Sequence, residues 1–252
     1  MDLQRAKYEY ALRLGDNALV LCQRLGEWCG HGPELEEDLA LTNIALDLIG
    51  QARLFLQYAA ELDGSDKTED DLAFLRDGAD FRNVLLVEQP NGDYAQTIVR
   101  QLFFDLYMQL FYTELSQSSD QKFAEIAQKS LKEVNYHIRH SAGWFIRLGD
   151  GTDESHKRMQ AAVDRLWCYT GELFDGDDVD QTLIANQVVP DILTLKTHWD
   201  AKIKEIFAES TLKIPDNPWM ASGGKQGTHS EHLGYLLAEM QFLQRAYPGA
   251  TW

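Results

Sequence analysis

Residues 34–62 read ELEEDLALTNIALDLIGQARLFLQYAAEL. Leu41, Ile44, Ala45, Leu48, Ala52, Phe55 and Ala59 recur there at steps of three and four, which places them on one face of a helix. Gly50 is the one Gly or Pro inside the stretch. It costs about 1 kcal/mol against Ala, or it lets another helix approach closely. At about 1.5 Å per residue the helix is about 40 Å long, more than an ordinary globular helix. Such a helix needs long neighbours, and the pattern predicts three more.

Lys7–Trp28 carries a broad apolar stripe of Leu12, Leu14, Ala18, Leu19, Leu21, Cys22 and Leu25. CGHGPE at 29–34 then stops the helix and restarts the chain, with Pro33 at a helix start. The first two helices are therefore expected to be antiparallel neighbours. Residues 63–92 differ: DGSDKTED is polar, DLAFLRDG has room for one or two helical turns, and EQPNGD is a turn signal. This is a crossover connection. The third helix, Asp93–Leu115, is apolar almost all round, through Phe103, Phe104, Tyr107 and Phe111 among others, and is expected to be buried on most sides or against another subunit. The fourth, Asp120–Leu148, turns Phe123, Ala127, Val134, Ile138, Ser141 and Phe145 inward.

A core bundle over about 7–149 is followed by accessory helices over about 152–252 in one domain. DGTDESHKRM opens a fifth helix ending near LFDGDD, 176–189 read as loop or frayed helix, and Pro190 starts a sixth. KIPDNPWMASGGKQG at 213–227 is irregular, and a last helix runs from His229 to Arg245 before the tail YPGATW. No strand alternation exceeds four residues, and there is no short internal repeat.

The chain has 252 residues, 44% hydrophobic and 25% charged, with a formal net charge of −17. That is the composition of a soluble globular protein. The negative charge argues against nucleic acid and anionic membrane as partners, because phosphate binding needs clustered Lys and Arg; a small anion held by local positive groups is still compatible with it. No apolar run approaches the roughly 20 residues of a membrane span, and MDLQRAKYEY lacks signal-peptide character. Cys22, Cys29 and Cys168 have no metal-type spacing and read as reduced core thiols. A cytoplasmic location is expected.

Two long hairpins joined by one crossover are the all-α, ferritin-like form of four-helix bundle. That scaffold often holds two irons, with one carboxylate from each of two helices and a Glu-x-x-His from each of the others. The corresponding positions here are Asp16, Asp47, Asp105 and Glu133, with similar spacing within each pair. The ligand chemistry fails. Asp47-Leu48-Ile49-Gly50 has no His, and Glu133-Val134-Asn135-Tyr136 puts Tyr in its place, with His137 one position late. Three Asp in place of Glu also leave a bundle-centre site oversized. The acids read most simply as partly exposed or salt-bridged residues, and His137 as a hydrogen-bonded core histidine. His229 and His232 are spaced i, i+3 beside Glu231 but lack a third ligand, and Gly223–Gly227 is a lone Gly-rich turn. No nucleophile–base pair or phosphate loop signals independent catalysis. Set against this is a di-metal oxidase or metal-binding bundle, active by itself, using Asp16, Asp47, Asp105, Glu133 and His137.

Long strings of the chain resemble one family. YALRLGDNALVLCQRLGEWCGHGPELEEDLALTNIALDLIGQARLFLQYAAEL at 10–62, LLVEQPNGDYAQTIVRQ at 85–101, KEVNYHIRHSAGWFIRLGDGT at 132–152 and above all GTHSEHLGYLLAEMQFLQRAYPG at 227–249 are similar to the structural C subunits of bacterial phenylacetyl-CoA epoxidases. The resemblance implies a ferritin-like, non-catalytic subunit of a multicomponent monooxygenase in aerobic phenylacetate degradation. In that family a separate catalytic subunit holds the di-iron centre, an iron–sulfur flavin reductase supplies electrons, and a small bridging subunit completes the system. No metal or other cofactor is then expected in this chain. The resemblance also implies contact with the CoA end of phenylacetyl-CoA at a subunit interface. The candidates are Asp80, Phe81, Arg82 and Asn83 in the crossover and Gln181, Thr182 and Leu183 after the fifth helix. Arg82 would meet a phosphate and Asn83 an amide. The apolar third helix suggests a homodimer when the chain is alone and pairing with the catalytic subunit when that is present.

Overall fold

A computed structural model describes residues 1–216 and 219–250. Asn217 and Pro218 of the irregular stretch, and Thr251 and Trp252 of the tail, lie outside the described residues. Among the described residues, the elements are helices throughout. They are α1 (Leu3–Gly26), α2 (Leu35–Asp63), α3 (Glu69–Phe74), α4 (Leu85–Glu88), α5 (Tyr94–Leu115), α6 (Gln121–Gly149), α7 (Asp153–Leu166), α8 (Asp178–Ala185), α9 (Ile192–Ser210), α10 (Glu231–Met240) and α11 (Phe242–Ala246). Short 3₁₀ turns lie at Gly78–Asp80, Trp167–Tyr169, Gly171–Phe174 and Gly224–Gln226.

Side-chain caps start several of these helices. Asp2, Asp93, Asp120 and Asp191 each accept a backbone N–H of the first turn, and Thr68 and Thr152 form capping boxes with Asp71 and Ser155. The four long helices lie within a few residues of their expected ends. Residues 178–185, expected to be loop or frayed, are helical, with Val179, Asp180 and Leu183 turned inward. The expected single helix 229–245 is two. The break falls at Gln241, a buried side chain whose Nε2 donates to the carbonyls of Ala73 and Arg76 at 3.1 and 3.0 Å.

The chain divides into two compact units. The first is Met1–Pro90, Asp177–Leu183 and Gly223–Trp252; the second is Asn91–Gly176 and Ile184–Ser222. Each unit thus takes part of the C-terminal third. In the first unit α1 packs along α2. Gly15 makes the close approach possible, because a Cβ there would stand 2.7 Å from a Leu56 methyl. By length and composition α2 is long and apolar enough to cross a membrane, although 44% of its most apolar window is buried inside the protein.

In the second unit α5 pairs with α6 and also packs against α7 and α9. Phe103 meets Trp167 and Trp199 at centroid distances of 5.6 and 6.0 Å, and Tyr107 meets Phe174 at 5.5 Å. Trp199 Nε1 donates to the Phe103 carbonyl at 3.2 Å. Phe103, Phe104, Tyr107 and Phe111 are all buried. Phe103 and Tyr107 of the outward-pointing aromatic set expected on this helix are thus covered by later segments of the same chain, and Phe104 and Phe111 are buried as well, each side chain worth about 1.5–3 kcal/mol. These aromatics are therefore not free to drive dimerisation. Cys22 is core, its thiol pushed up to about 12 by burial, whereas Cys168 is half-buried and Cys29 exposed, so the three are not alike.

Candidate functional site

The acid positions of the first hairpin differ in burial. Asp16, in the middle of α1, is fully buried and forms an ion pair with the Arg76 guanidinium, whose Nη1 lies 3.0 Å from Oδ2. The same Oδ2 accepts the Arg82 backbone N–H at 2.8 Å. Next to it in the chain, Asn17 Oδ1 accepts the Val84 N–H at 2.8 Å. Both side chains thereby clamp the crossover, in which Phe81 and Val84 have extended backbone. Asp47 is half-buried on α2. Asp16 is therefore neither partly exposed nor poised as a ligand, because a guanidinium stands where a cation would.

Behind that clamp lies a carboxylate that the pattern concealed. Glu88 is fully buried at the end of α4 and accepts from Asn83 Nδ2 at 2.9 Å, His229 Nδ1 at 2.8 Å and the Ser230 N–H at 2.6 Å. His229 Nε2 lies 3.0 Å from the Phe81 carbonyl, so both ring nitrogens face acceptors and the imidazolium form fits. Burial opposes that charge, but the Glu88 hydrogen bond outweighs it and the His229 pKa is raised. Arg24 donates to the Glu88 carbonyl at 3.1 and 2.9 Å. His229 thus partners Glu88 rather than pairing with His232 as a ligand.

A second buried ion cluster uses Arg13, about one turn before Asp16. Its guanidinium reaches Asp177 at 2.5 Å and Asp180 at 3.2 Å. Burial opposes the Arg13 charge, yet the Asp177 hydrogen bond raises its pKa further. For Asp177 burial is again outweighed, and Arg13 holds that carboxyl well below the usual carboxylate range. Asp180 lies deeper and burial pushes it up. Gln226 Nε2 donates to Asp177 at 3.3 Å, and Gly227, at φ +82°, sits where a Cβ would lie 2.2 Å from the Ala79 carbonyl. The Gly-rich turn thus touches both the crossover and the segment before α8.

These contacts locate the substrate candidates. Phe81, Asn83 and Leu183 are buried, and the Asn83 amide nitrogen donates to Glu88 and the Val84 carbonyl, while its Oδ1 is buried without a hydrogen-bond partner among the described residues. Arg82 is half-buried; its Nη1 donates to the carbonyls of Ala79 and Phe81 at 2.8 Å and its Nε lies 3.5 Å from Glu9. Asp80 and Gln181 are exposed, and Thr182 is half-buried. Each stretch thus mixes buried positions with ones open to solvent.

In the second unit Asp105 is also buried, and its neutralisation is of another kind. Gln101 Nε2 donates to Oδ1 at 2.7 Å, Ser141 Oγ donates to Oδ2 at 2.8 Å, and His137 Nδ1 lies 4.0 Å from Oδ1. Burial raises the Asp105 pKa to about 6 against the opposing pull of these partners. His137 is fully buried, as its inward position requires, whereas Glu133 is half-buried beside Tyr112. Among the described residues no group of three His, Cys, Asp or Glu is arranged to hold a metal ion. The donor sets present do not fit a di-iron centre. Asp16, Glu88 and Asp105 are each already satisfied by donors from the protein.

Against known proteins, the family model described as phenylacetic acid catabolic protein matches residues 2–252. The chain belongs to that family. It is a ferritin-like family, in keeping with the helical chain seen here. A curated relative is the C subunit of the 1,2-phenylacetyl-CoA epoxidase of Escherichia coli (strain K12), 54% identical over 243 residues, covering 96% of this chain and 98% of the relative. In this member of the phenylacetic acid catabolic family the residues missed from sequence are Arg13, Arg76 and Glu88. Arg13 shares a helix face with Asp16 and Asn17, which was a readable signal. Nothing in EQPNGD marks Glu88 as buried.

Proposed function

We propose that this chain is a non-catalytic, structural subunit of a phenylacetyl-CoA epoxidase. In this reading it works in the cytoplasm and supports a separate catalytic subunit that carries the di-iron centre, served by a flavin and iron–sulfur reductase. The observation that carries the reading is a contrast on the first hairpin. The buried acid is consumed inside the chain, while Leu35, Leu39, Leu46 and Ile49 of α2 stand 71, 54, 62 and 37% exposed along one face. Gly50 lies on the same face, with nothing within 4 Å of where a Cβ would stand. A row of exposed leucines beside an open glycine fits close packing by a helix of another chain. Packing of that kind would hold the partner's ligand helices in place. Of the candidate substrate positions, Asp80, Arg82, Gln181 and Thr182 are the ones that a CoA group could reach from solvent.

The test is to purify the chain alone and with the other epoxidase subunits. Alone, with iron supplied, it is expected to hold well under one iron per chain and to give no oxygenation of phenylacetyl-CoA with reductase. Stoichiometric iron with the absorption of an oxo-bridged pair would overturn the reading. Leu46→Asp is expected to reduce co-purification of the catalytic subunit by placing an unpaired charge in the contact.

A further inference from the structure

A second unpartnered face lies on α6, in the other unit, and its chemistry is the opposite of the leucine row. Tyr136, Arg139, His140, Gly143, Trp144 and Arg147 line a shallow pocket of about 230 Å³. Gly143 forms its open floor, with nothing within 4 Å of a Cβ position. The Arg147 guanidinium lies 5.6 Å from the Trp144 ring centroid, and Trp144 meets Tyr94 edge-on at 5.8 Å. At about 100° per residue, Lys129, Lys132, Arg139 and Arg147 fall within an arc of about 80°. Glu125 and Glu133 lie beside the N-terminal part of this row, but from Tyr136 to Arg147 the helix has no acid at all.

Among the described residues, none of Lys129, Lys132, Arg139 and Arg147 has a carboxylate partner. Lys204 and Lys213 are also exposed without a carboxylate partner, but on α6 four such bases share one face. With 40 acids to 23 Lys and Arg, an exposed base here commonly finds an acid one turn away, as Arg5 does with Glu9, Arg158 with Glu154 and Lys196 with Asp200. These four cations of α6 are left without a carboxylate where carboxylates are abundant. Two arginines, a tryptophan and a tyrosine are also the side chains that most often dominate protein–protein contacts.

We infer that this face of α6 docks an acidic segment of another subunit of the epoxidase, with a small or apolar side chain entering over Gly143. The inference rests on the subunit reading above. The row from Lys129 to Arg147 is about 27 Å long at about 1.5 Å per residue, too long for one phosphate ester and suited to a helix or extended chain bearing several carboxylates. A second copy of this chain is the poorer occupant, because two bodies of net charge −17 repel each other.

The experiment compares wild type, Arg139→Glu/Arg147→Glu and Leu46→Asp for binding to the purified remaining epoxidase subunits by biolayer interferometry. At low salt the double reversal is expected to weaken binding about tenfold or more, with most of the difference gone near 0.5 M salt, where charges are screened within about 4 Å. Its melting temperature should stay within a few degrees of wild type, since neither arginine has a carboxylate partner to lose and the contact of exposed Arg147 with the Trp144 ring is a weak one. If the double variant binds like wild type while Leu46→Asp does not, the α6 inference fails and the subunit reading stands. If wild type binds no other subunit at any salt, both fail. Titration with adenosine 3′,5′-bisphosphate supplies the remaining arm. Micromolar binding that the double variant loses would reassign the face to a nucleotide and overturn the inference, as would salt-sensitive self-association that the same variant abolishes.

Discussion

Asp16 and Asp105 occupy the first helix of each long hairpin, and each is buried. They are made safe by opposite means. Asp16 stays paired with a cation brought in by the crossover, Arg76, and accepts a backbone N–H besides. Asp105 has no guanidinium; two neutral donors and the nearby His137 surround it, and burial pushes its carboxyl up to about 6. A buried charge is tolerated when it is paired or when it takes up a proton. One acid therefore holds the fold together, and the other burdens it at neutral pH.

The largest expected effect is at Asp16. Asp16→Asn leaves the Arg76 guanidinium without its counter-charge and should cost about 3 kcal/mol or more in urea unfolding. Combining it with Arg76→Gln should recover much of that loss, and a double-mutant cycle measures the coupling. If the single variant is as stable as wild type, the clamp is not what holds the crossover.

Asp105→Asn should move stability the other way. The folded carboxyl at about 6 lies above the unfolded 3.8, so between those values the folded chain keeps a proton that the unfolded chain has lost. Wild-type stability from this group is therefore full below about 3.8 and falls as pH rises to about 6, by roughly 3 kcal/mol at most. The Asn variant lacks that fall; it should match wild type near pH 4 and exceed it at pH 7. Destabilisation at pH 7 as large as that of Asp16→Asn would erase the contrast.

A smaller effect is expected at the Glu88 cluster. The His229 pKa is raised, so its contribution is full below the ordinary histidine value and lost as pH rises through the folded one. His229→Gln should cost about 1–2 kcal/mol near pH 6, with the gap to wild type narrowing on the alkaline side. Denaturation curves of both proteins across pH 5–9 test this; a gap independent of pH would mean that the ring is neutral. The smallest change belongs to Leu46→Asp, within about 0.5 kcal/mol of wild type in the isolated chain because the side chain is already exposed. Its cost should appear only on assembly.

Periodicity and capping residues carried most of the architecture. The four long helices, the crossover and the loss of both Glu-x-x-His motifs follow from residue order, because helix phase and ligand spacing are local properties. The short helix at Asp178–Ala185 and the break at Gln241 escaped that reading, since each depends on what the side chains meet across the fold. So did the fate of α5. Its excess of aromatics marked it as buried on several sides, yet no local pattern says whether a neighbouring subunit or a later part of the same chain covers them; for Phe103 and Tyr107 it is Trp167, Trp199 and Phe174 of the same chain. The same limit holds at the candidate site. That the matching histidines are missing was legible from residue order, but the burial of Asp16 and Asp105 was not, since the acids read as partly exposed or salt-bridged. Gln101 stands one helical turn from Asp105, and Asn83 five residues from Glu88. But that Arg76 claims Asp16, that Ser141 reaches Asp105, and that Glu88 gathers His229 and Ser230 were decided only by tertiary structure. Partners such as Asp16 and Arg76, or Glu88 and His229, stand far apart in the chain and are chosen by the packing of whole helices, not by the sequence around them.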